Sequence, residues 1–170
     1  MSAGAYEGVL REIIHAFKYE GRRSLADPLG GMLRDASSVV LDRCDCVVPV
    51  PLHPWRRMRR GFNQAHDLAK RLERPMVDAL WRVRSTPSQM MLNANARHSN
   101  VRGAFVVSPL LTGGARLCGV PFPLLEDRSV VLVDDVRTTG ATLDECAKVL
   151  LAAGAREVRA LTVAMAEKSS

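Results

Sequence analysis

The segment from residue 130 to residue 165 constrains this chain more than any other. Val130-Val-Leu-Val133 is an unbroken, β-branched-rich apolar run, the pattern of a strand covered on both faces. After a short polar loop, Leu143, Ala147, Leu150 and Leu151 recur on one helical face, while Asp144, Glu145 and Lys148 fall on the other. Gly154 stops that helix, and residues 158–165 form a second apolar strand. Strand, helix and strand within about 35 residues is a βαβ unit with a right-handed crossover. It commits the chain to an α/β fold built on a parallel sheet.

The remaining elements fit one domain over residues 1–170, a length that buries a real core. Tyr6, Val9, Leu10, Ile13, Ile14 and Phe17 mark an amphipathic helix ending near Gly21. Ser24 is placed to cap a second helix with Leu25, Leu29, Met32, Leu33 and Ala36 on its apolar face. Residues 46–50 read as the first core strand, with Pro49 and Pro51 setting its end at a turn. Residues 64–72 read as a helix after Gly61, and residues 103–107 as a strand containing the core residue Phe105. Residues 82–100 are polar and basic without a period, the pattern of a mobile loop or hood leading into a short helix begun by Asn93 or Asn95. Residues 109–127 carry Pro109, Gly113, Gly114, Gly119, Pro121 and Pro123 and are read as a loop excursion.

Charge is unevenly spread. The net +6 comes from 24 Lys and Arg against 18 Asp and Glu, and residues 56–102 alone hold 11 basic and 3 acidic groups. That segment's +8 is nearly all arginine, whose rigid fork matches phosphate oxygens, so a polyphosphate or a nucleic acid is the expected partner; the plainer reading is a solvated basic face. No apolar stretch approaches the ~20 residues of a membrane span. Glu7, Arg11 and Glu12 interrupt any signal-peptide core, so a cytoplasmic location is expected. Cys44, Cys46, Cys118 and Cys146 lack the second close pair of a zinc set and read as reduced thiols.

Chemistry concentrates at Asp134-Asp135-Val136-Arg137-Thr138-Thr139-Gly140-Ala141-Thr142, between the strand and helix of the βαβ unit. A loop entering a helix at a strand's carboxyl end presents backbone N–H groups and the positive end of a dipole, a ready anion site. Gly140 permits close approach of a phosphate, and Thr138, Thr139 and Thr142 add hydroxyl donors. Two carboxylates upstream suit the vicinal hydroxyls of a sugar, so the set describes a ribose 5-phosphate pocket. The plainer readings are an ordinary helix cap and a direct metal site. The Gly-Lys-Ser/Thr of a Walker loop is absent, and so is a dinucleotide fingerprint.

Residues 131–142 resemble the phosphoribosyl pyrophosphate signature of type I phosphoribosyltransferases. Val48-Pro-Val-Pro-Leu-His53 and Arg60-Gly-Phe-Asn-Gln64 resemble the ComF family of competence-associated, phosphoribosyltransferase-like proteins. Phe17-Lys18-Tyr19, Gly21, Arg84, Thr86, Gln89, Arg97, Asn100, Gly103, Ala104 and Phe105 continue that pattern, over roughly residues 6–166. Family members usually open with a cysteine-rich zinc ribbon that this sequence lacks, and Ala96 stands where a glutamate is common.

The resemblance implies a type I phosphoribosyltransferase-like fold, with a central, mostly parallel sheet flanked by helices and a flexible basic hood. It implies binding of phosphoribosyl pyrophosphate with Mg²⁺ held mainly through the ligand, and transfer of the phosphoribosyl group to a nitrogen nucleophile. By carry-over, Thr138, Thr139, Gly140, Ala141 and Thr142, with Arg137, hold the 5-phosphate. Asp134 and Asp135 hold the ribose hydroxyls and form the catalytic pair. Pro51, Leu52 and His53 form the pyrophosphate turn, with Arg56, Arg57, Arg59 and Arg60 beyond it and Lys18 and Arg84 as further cations. Purine-salvage relatives often carry an aspartate where Thr138 stands, so no obvious general base remains, and His53 reads as either a base or a structural group. The alternative function is handling of single-stranded DNA during uptake, without catalysis. A homodimer is expected only by analogy with related folds.

Overall fold

The computed structural model describes residues 1–84, 101–108 and 125–166. Its main sheet has four strands in the order β1 (Ser2–Ala5), β6 (Glu157–Met165), β5 (Ser129–Arg137), β2 (Cys46–Pro49), and every pairing is parallel. Helix α6 (Ala141–Ala152) crosses from β5 to β6. On the other face lie α1 (Gly8–Tyr19), α2 (Ala26–Ala36), α3 (Ser38–Asp42) and α5 (Gln64–Ala69). Helix α4 (Pro54–Arg60) carries the arginine run, and β3 (Leu80–Arg82) pairs antiparallel with β4 (Phe105–Val107) in a separate ribbon.

Period-two alternation along β5 explains the two cores. Val131 and Val133 face the layer of Ile14, Phe17, Leu29, Leu33 and Leu68, with Leu161 and Val163 of β6 beside them. Val130 and Leu132 face the opposite layer, formed by Leu143, Cys146 and Leu150 of α6 with Leu80 and Phe105. Both faces are covered, as the apolar run requires.

Several boundaries differ from the sequence reading. Strand β1 precedes what reads as the first core strand; four small residues leave no pattern, and the strand forms by adding to the edge of β6. Strand β5 runs four residues past its apolar stretch, through the acid pair to Arg137, because β6 continues to pair with it as far as Arg137–Met165. Ser24 does not cap α2: it sits in a 3₁₀ turn, Arg23–Leu25, whose Arg23 donates twice to the buried Asp67 carboxylate, at 2.9 and 3.0 Å. The helix over 64–72 ends at Ala69 and tightens to a 3₁₀ turn. Strand β4 begins at Phe105, since Gly103 adopts a left-handed turn (φ 65°). Of residues 82–100 only 82–84 are described, and Arg82 ends β3 instead of opening a loop. The expected short helix and nearly all of the 109–127 excursion lie outside the described residues, as does Cys118. Among the described residues no helix is long and apolar enough to cross a membrane.

Candidate active site

Strand β2 creates the site by stopping early. Its last pair with β5 is Pro49–Val133, closed by the Val50 N–H donating to the Val133 carbonyl at 2.9 Å, and Pro51 then turns the chain away. Beyond Val133, β5 has a strand neighbour among the described residues only on its β6 side. The opening is a crevice at the carboxyl ends of parallel strands, where ligands bind in sheets of this kind. It widens to a cleft of about 1250 Å³ bounded by α1, the Pro51-Leu52 turn, α4, Arg82 and the start of α6.

The two acids reach this crevice from opposite faces of the sheet. Asp135, in step with Val131 and Val133, faces α1, where its Oδ1 accepts from Lys18 Nζ at 2.8 Å; both side chains are mostly buried. Burial alone would push the Lys18 ammonium down, but Asp135 more than offsets it by charge and a hydrogen bond, helped by Asp134 and Tyr6, so it lies above its ordinary value. Asp134, in step with Val130 and Leu132, faces the other layer and accepts the Asp135 backbone N–H on Oδ1 at 2.9 Å. Burial first, then the adjoining Asp135 carboxylate, push the Asp134 carboxyl up to about 7, against the opposing pull of Lys18, the Asp135 N–H and Arg82.

The phosphate loop is short, three residues between β5 and α6. Gly140 is the N-cap in a left-handed conformation (φ 86°), which lets the chain turn from strand into helix. The first turn of a helix has amides without intrahelical carbonyl partners, and here it opens on the cleft, lined by Thr138, Gly140, Ala141 and Thr142. Thr139 is turned back, its Oγ1 accepting from the Ala141 N–H at 3.4 Å, and it does not line the cleft. Arg137 lines it from the end of β5.

The opposite wall is cationic and aromatic. Arg60 stacks over the Tyr19 ring at 4.9 Å and donates from Nη1 to Gln64 Oε1 at 3.1 Å. Arg59 lies over Trp55 at 5.8 Å. Arg82, buried, lies over Phe105 at 5.2 Å, opposite it in the β3–β4 ribbon. Burial first, then like charge (Arg60 for Arg56, Arg56 for Arg82), lowers both guanidinium values. Gln64 is buried, and its Nε2 has no hydrogen-bond partner among the described residues although the side chain lines the cleft.

A phosphoribosyl transferase domain model matches residues 58–170. The chain is 34% identical to competence protein F of Haemophilus influenzae over 173 residues, covering 96% of this chain and 71% of that one. It belongs to the ComF family. The DNA utilization protein YhgH of Escherichia coli is 33% identical over 91% of this chain and 66% of its own length. Among solved structures, the glutamine phosphoribosylpyrophosphate amidotransferase of B. subtilis, complexed with ADP and GMP, superposes with a TM-score of 0.50 at 23% identity, over 82% of this chain and 26% of that one. This last likeness is one of fold, the type I phosphoribosyltransferase fold.

In this ComF-family chain, Asp134, Asp135, Arg137, Thr138, Gly140, Ala141, Thr142, Pro51, Leu52, Arg56, Arg59, Arg60 and Lys18 all line one cleft. His53 does not: its Nδ1 accepts the Trp55 N–H at 3.3 Å and caps α4. Arg84 donates to the Arg102 carbonyl at 3.3 Å, outside the cleft, and Arg57 does not line it either. Thr86, Gln89, Arg97 and Asn100 lie outside the described residues. Sequence reasoning missed Arg82. The available signal was the apolar–basic alternation Leu80-Trp81-Arg82-Val83-Arg84, which reads as the edge of a basic loop until β4 is known to pair with it. Among the described residues no group of three His, Cys, Asp or Glu side chains could hold a metal ion.

Proposed function

We propose that this domain binds phosphoribosyl pyrophosphate with Mg²⁺ in the cleft and transfers the phosphoribosyl group to a nitrogen nucleophile. The observation that carries the reading is the convergence, at the end of β5, of an acid pair, a glycine-initiated helix N-terminus and an arginine wall in one crevice. The 5-phosphate is assigned to residues 138–142, the ribose diol to Asp134 and Asp135, and the pyrophosphate to the Pro51-Leu52 turn with Arg56 and Arg60. Gln64 Nε2 supplies a buried donor that an acceptor oxygen of the ligand would satisfy. In this reading the cation arrives on the substrate's own oxygens. Bound there, Mg²⁺ would neutralise charge on the pyrophosphate.

In the reaction the ribose C1–O bond breaks with its electron pair leaving on pyrophosphate, a C1–N bond forms, and the nucleophile's proton passes to water or to the released pyrophosphate. Positive charge grows on the ribose and negative charge on the departing group. The acid pair faces the first and the arginines face the second, in a site whose donors are already oriented. Calorimetry with Mg²⁺ and phosphoribosyl pyrophosphate tests binding, and a panel of nitrogen bases with pyrophosphate detection tests transfer. Absence of binding by the wild-type protein would overturn the reading.

A second reading is favoured by the rim. Trp55 and Tyr19 are 57% and 55% exposed, each with an arginine on one face, and both border the cleft. Aromatic faces interleaved with cations suit single-stranded nucleic acid, which agrees with relatives named for competence and DNA utilization. Fluorescence anisotropy with a labelled oligonucleotide tests it.

A further inference from the structure

Two carboxylates adjacent in sequence at the buried end of a strand cannot both stay charged without help. The fold supplies that help from outside the phosphate loop and from two layers: Lys18 of α1 meets Asp135, and Arg82 of β3 acts on Asp134. The other titratable or charged groups facing the two acids and their cations are Tyr6, before α1, the Cys146 thiol of α6, and Arg56 of α4 beside Arg82. Lys18 makes a direct ion pair with Asp135, and it lies on the same side of the sheet as that acid.

We infer that Lys18 is a positioning residue of the sugar subsite: its ammonium anchors the Asp135 carboxylate and leaves Asp134 as the member of the pair that takes up and releases a proton. The inference rests on the reading of the pair as the ribose acceptor. The geometry divides the labour. Asp135 Oδ1 is committed to Lys18 at 2.8 Å, and Asp134 Oδ1 to the Asp135 amide at 2.9 Å. One oxygen of each acid is therefore held in place by a donor of the protein itself, and in this reading the hydroxyls draw on the pair's further acceptor sites. Since Lys18 also lowers the proton affinity of Asp134, it holds more of that carboxyl in the accepting, ionised form at neutral pH. The lysine thus acts on the subsite through both acids.

Carboxyl ¹³C NMR of the free protein between about pH 5 and pH 9 is the direct test. One carboxyl of the pair should titrate near neutrality, disappear in Asp134→Asn and move to higher pH in Lys18→Met. Calorimetry with Mg²⁺ and phosphoribosyl pyrophosphate gives a second readout. An upward shift of about one pH unit makes Lys18→Met about fivefold weaker at pH 7, with the deficit narrowing toward pH 9 and Lys18→Arg restoring affinity. A deficit independent of pH, no deficit, or assignment of the neutral titration to Asp135 would overturn the inference. Should Lys18→Met fail to fold, the titration of the wild-type and Lys18→Arg proteins decides it. Should the wild type not bind the sugar pyrophosphate, the function proposed above fails, and the NMR titration still judges Lys18.

Discussion

Asp134 carries a stability cost that runs opposite to the usual carboxylate. Its proton is held to about pH 7 in the folded chain, against an ordinary value of 3.8, so between those limits the folded state binds more protons than the unfolded one. Stability therefore falls as pH rises across that window, at up to ~1.4 kcal/mol per pH unit from this group. Thermal melts should show Tm declining from about pH 5 to pH 7.5 in the wild type, and declining less in Asp134→Asn. An equal decline in both proteins would place the linkage elsewhere. Asp135 differs, because its partner is a buried ammonium. Asp135→Asn strands Lys18, and we expect a loss of ~3 kcal/mol of unfolding free energy together with weaker ligand binding; Lys18→Met in the same chain should return part of that stability. The acid pair and the phosphate loop were legible in the sequence because their residue types and order are themselves chemistry. The Lys18–Asp135 pair was not, since nothing local says which helix lies over the odd-numbered face of β5. His53 shows the converse: a lone histidine reads as a base, or more often as a structural or solvated group, and the Trp55 amide on its ring makes it a helix cap.

Elements carry the site by their ends and their closeness. Helix α2 presses on the 3₁₀ turn Lys70–Leu72 at Gly30, where an added Cβ would run into Arg71 Cβ and lie 2.9 Å from its Cγ. Gly30→Ala should cost about 1–3 kcal/mol in chemical denaturation, as overpacking does, while leaving ligand affinity unchanged because Gly30 is remote from the cleft lining. Asn63 is the opposite case. Its Oδ1 caps α5 at the Ala65 N–H (3.2 Å), and its Nδ2 holds the Val50 carbonyl (3.1 Å), so one side chain joins a helix start to the turn that opens the crevice. Asn63→Ala should lose ~1–2 kcal/mol of stability and also weaken phosphoribosyl pyrophosphate binding, an outcome calorimetry separates from that of Gly30→Ala. The long periodic elements, α1, α6, β5 and β6, announce themselves in the sequence. Strands β1 and β3, of four and three residues, do not, because their pairing is decided by neighbours distant in the chain.

At the scale of the molecule, the +8 of the central segment is divided by the fold. Part of it is spent on structure, as Arg71 on Asp27 and Arg74 on Asp42. Arg56, Arg59, Arg60 and Arg82 line the cleft that also holds the acid pair. A cleft that holds both a cluster of arginines and an acid pair is matched to a ligand that is anionic at one end and hydroxylated at the other. A single strand of DNA lacks the vicinal diol and would use only the cationic, aromatic rim. The two readings are therefore separable by competition and by salt. An oligonucleotide held by Arg56, Arg59 and Arg60 should lose affinity with a log–log salt slope of about −2. Trp55→Ala should weaken it by ~1–3 kcal/mol without changing that slope, since stacking releases no counterions. Arg59→Ala should flatten the slope by about 0.7. If both ligands use this cleft, saturating Mg²⁺ and phosphoribosyl pyrophosphate should displace the oligonucleotide, because the pyrophosphate and the DNA backbone draw on the same arginines. Tight oligonucleotide binding unaffected by either the sugar pyrophosphate or Trp55→Ala would move the DNA surface away from this rim.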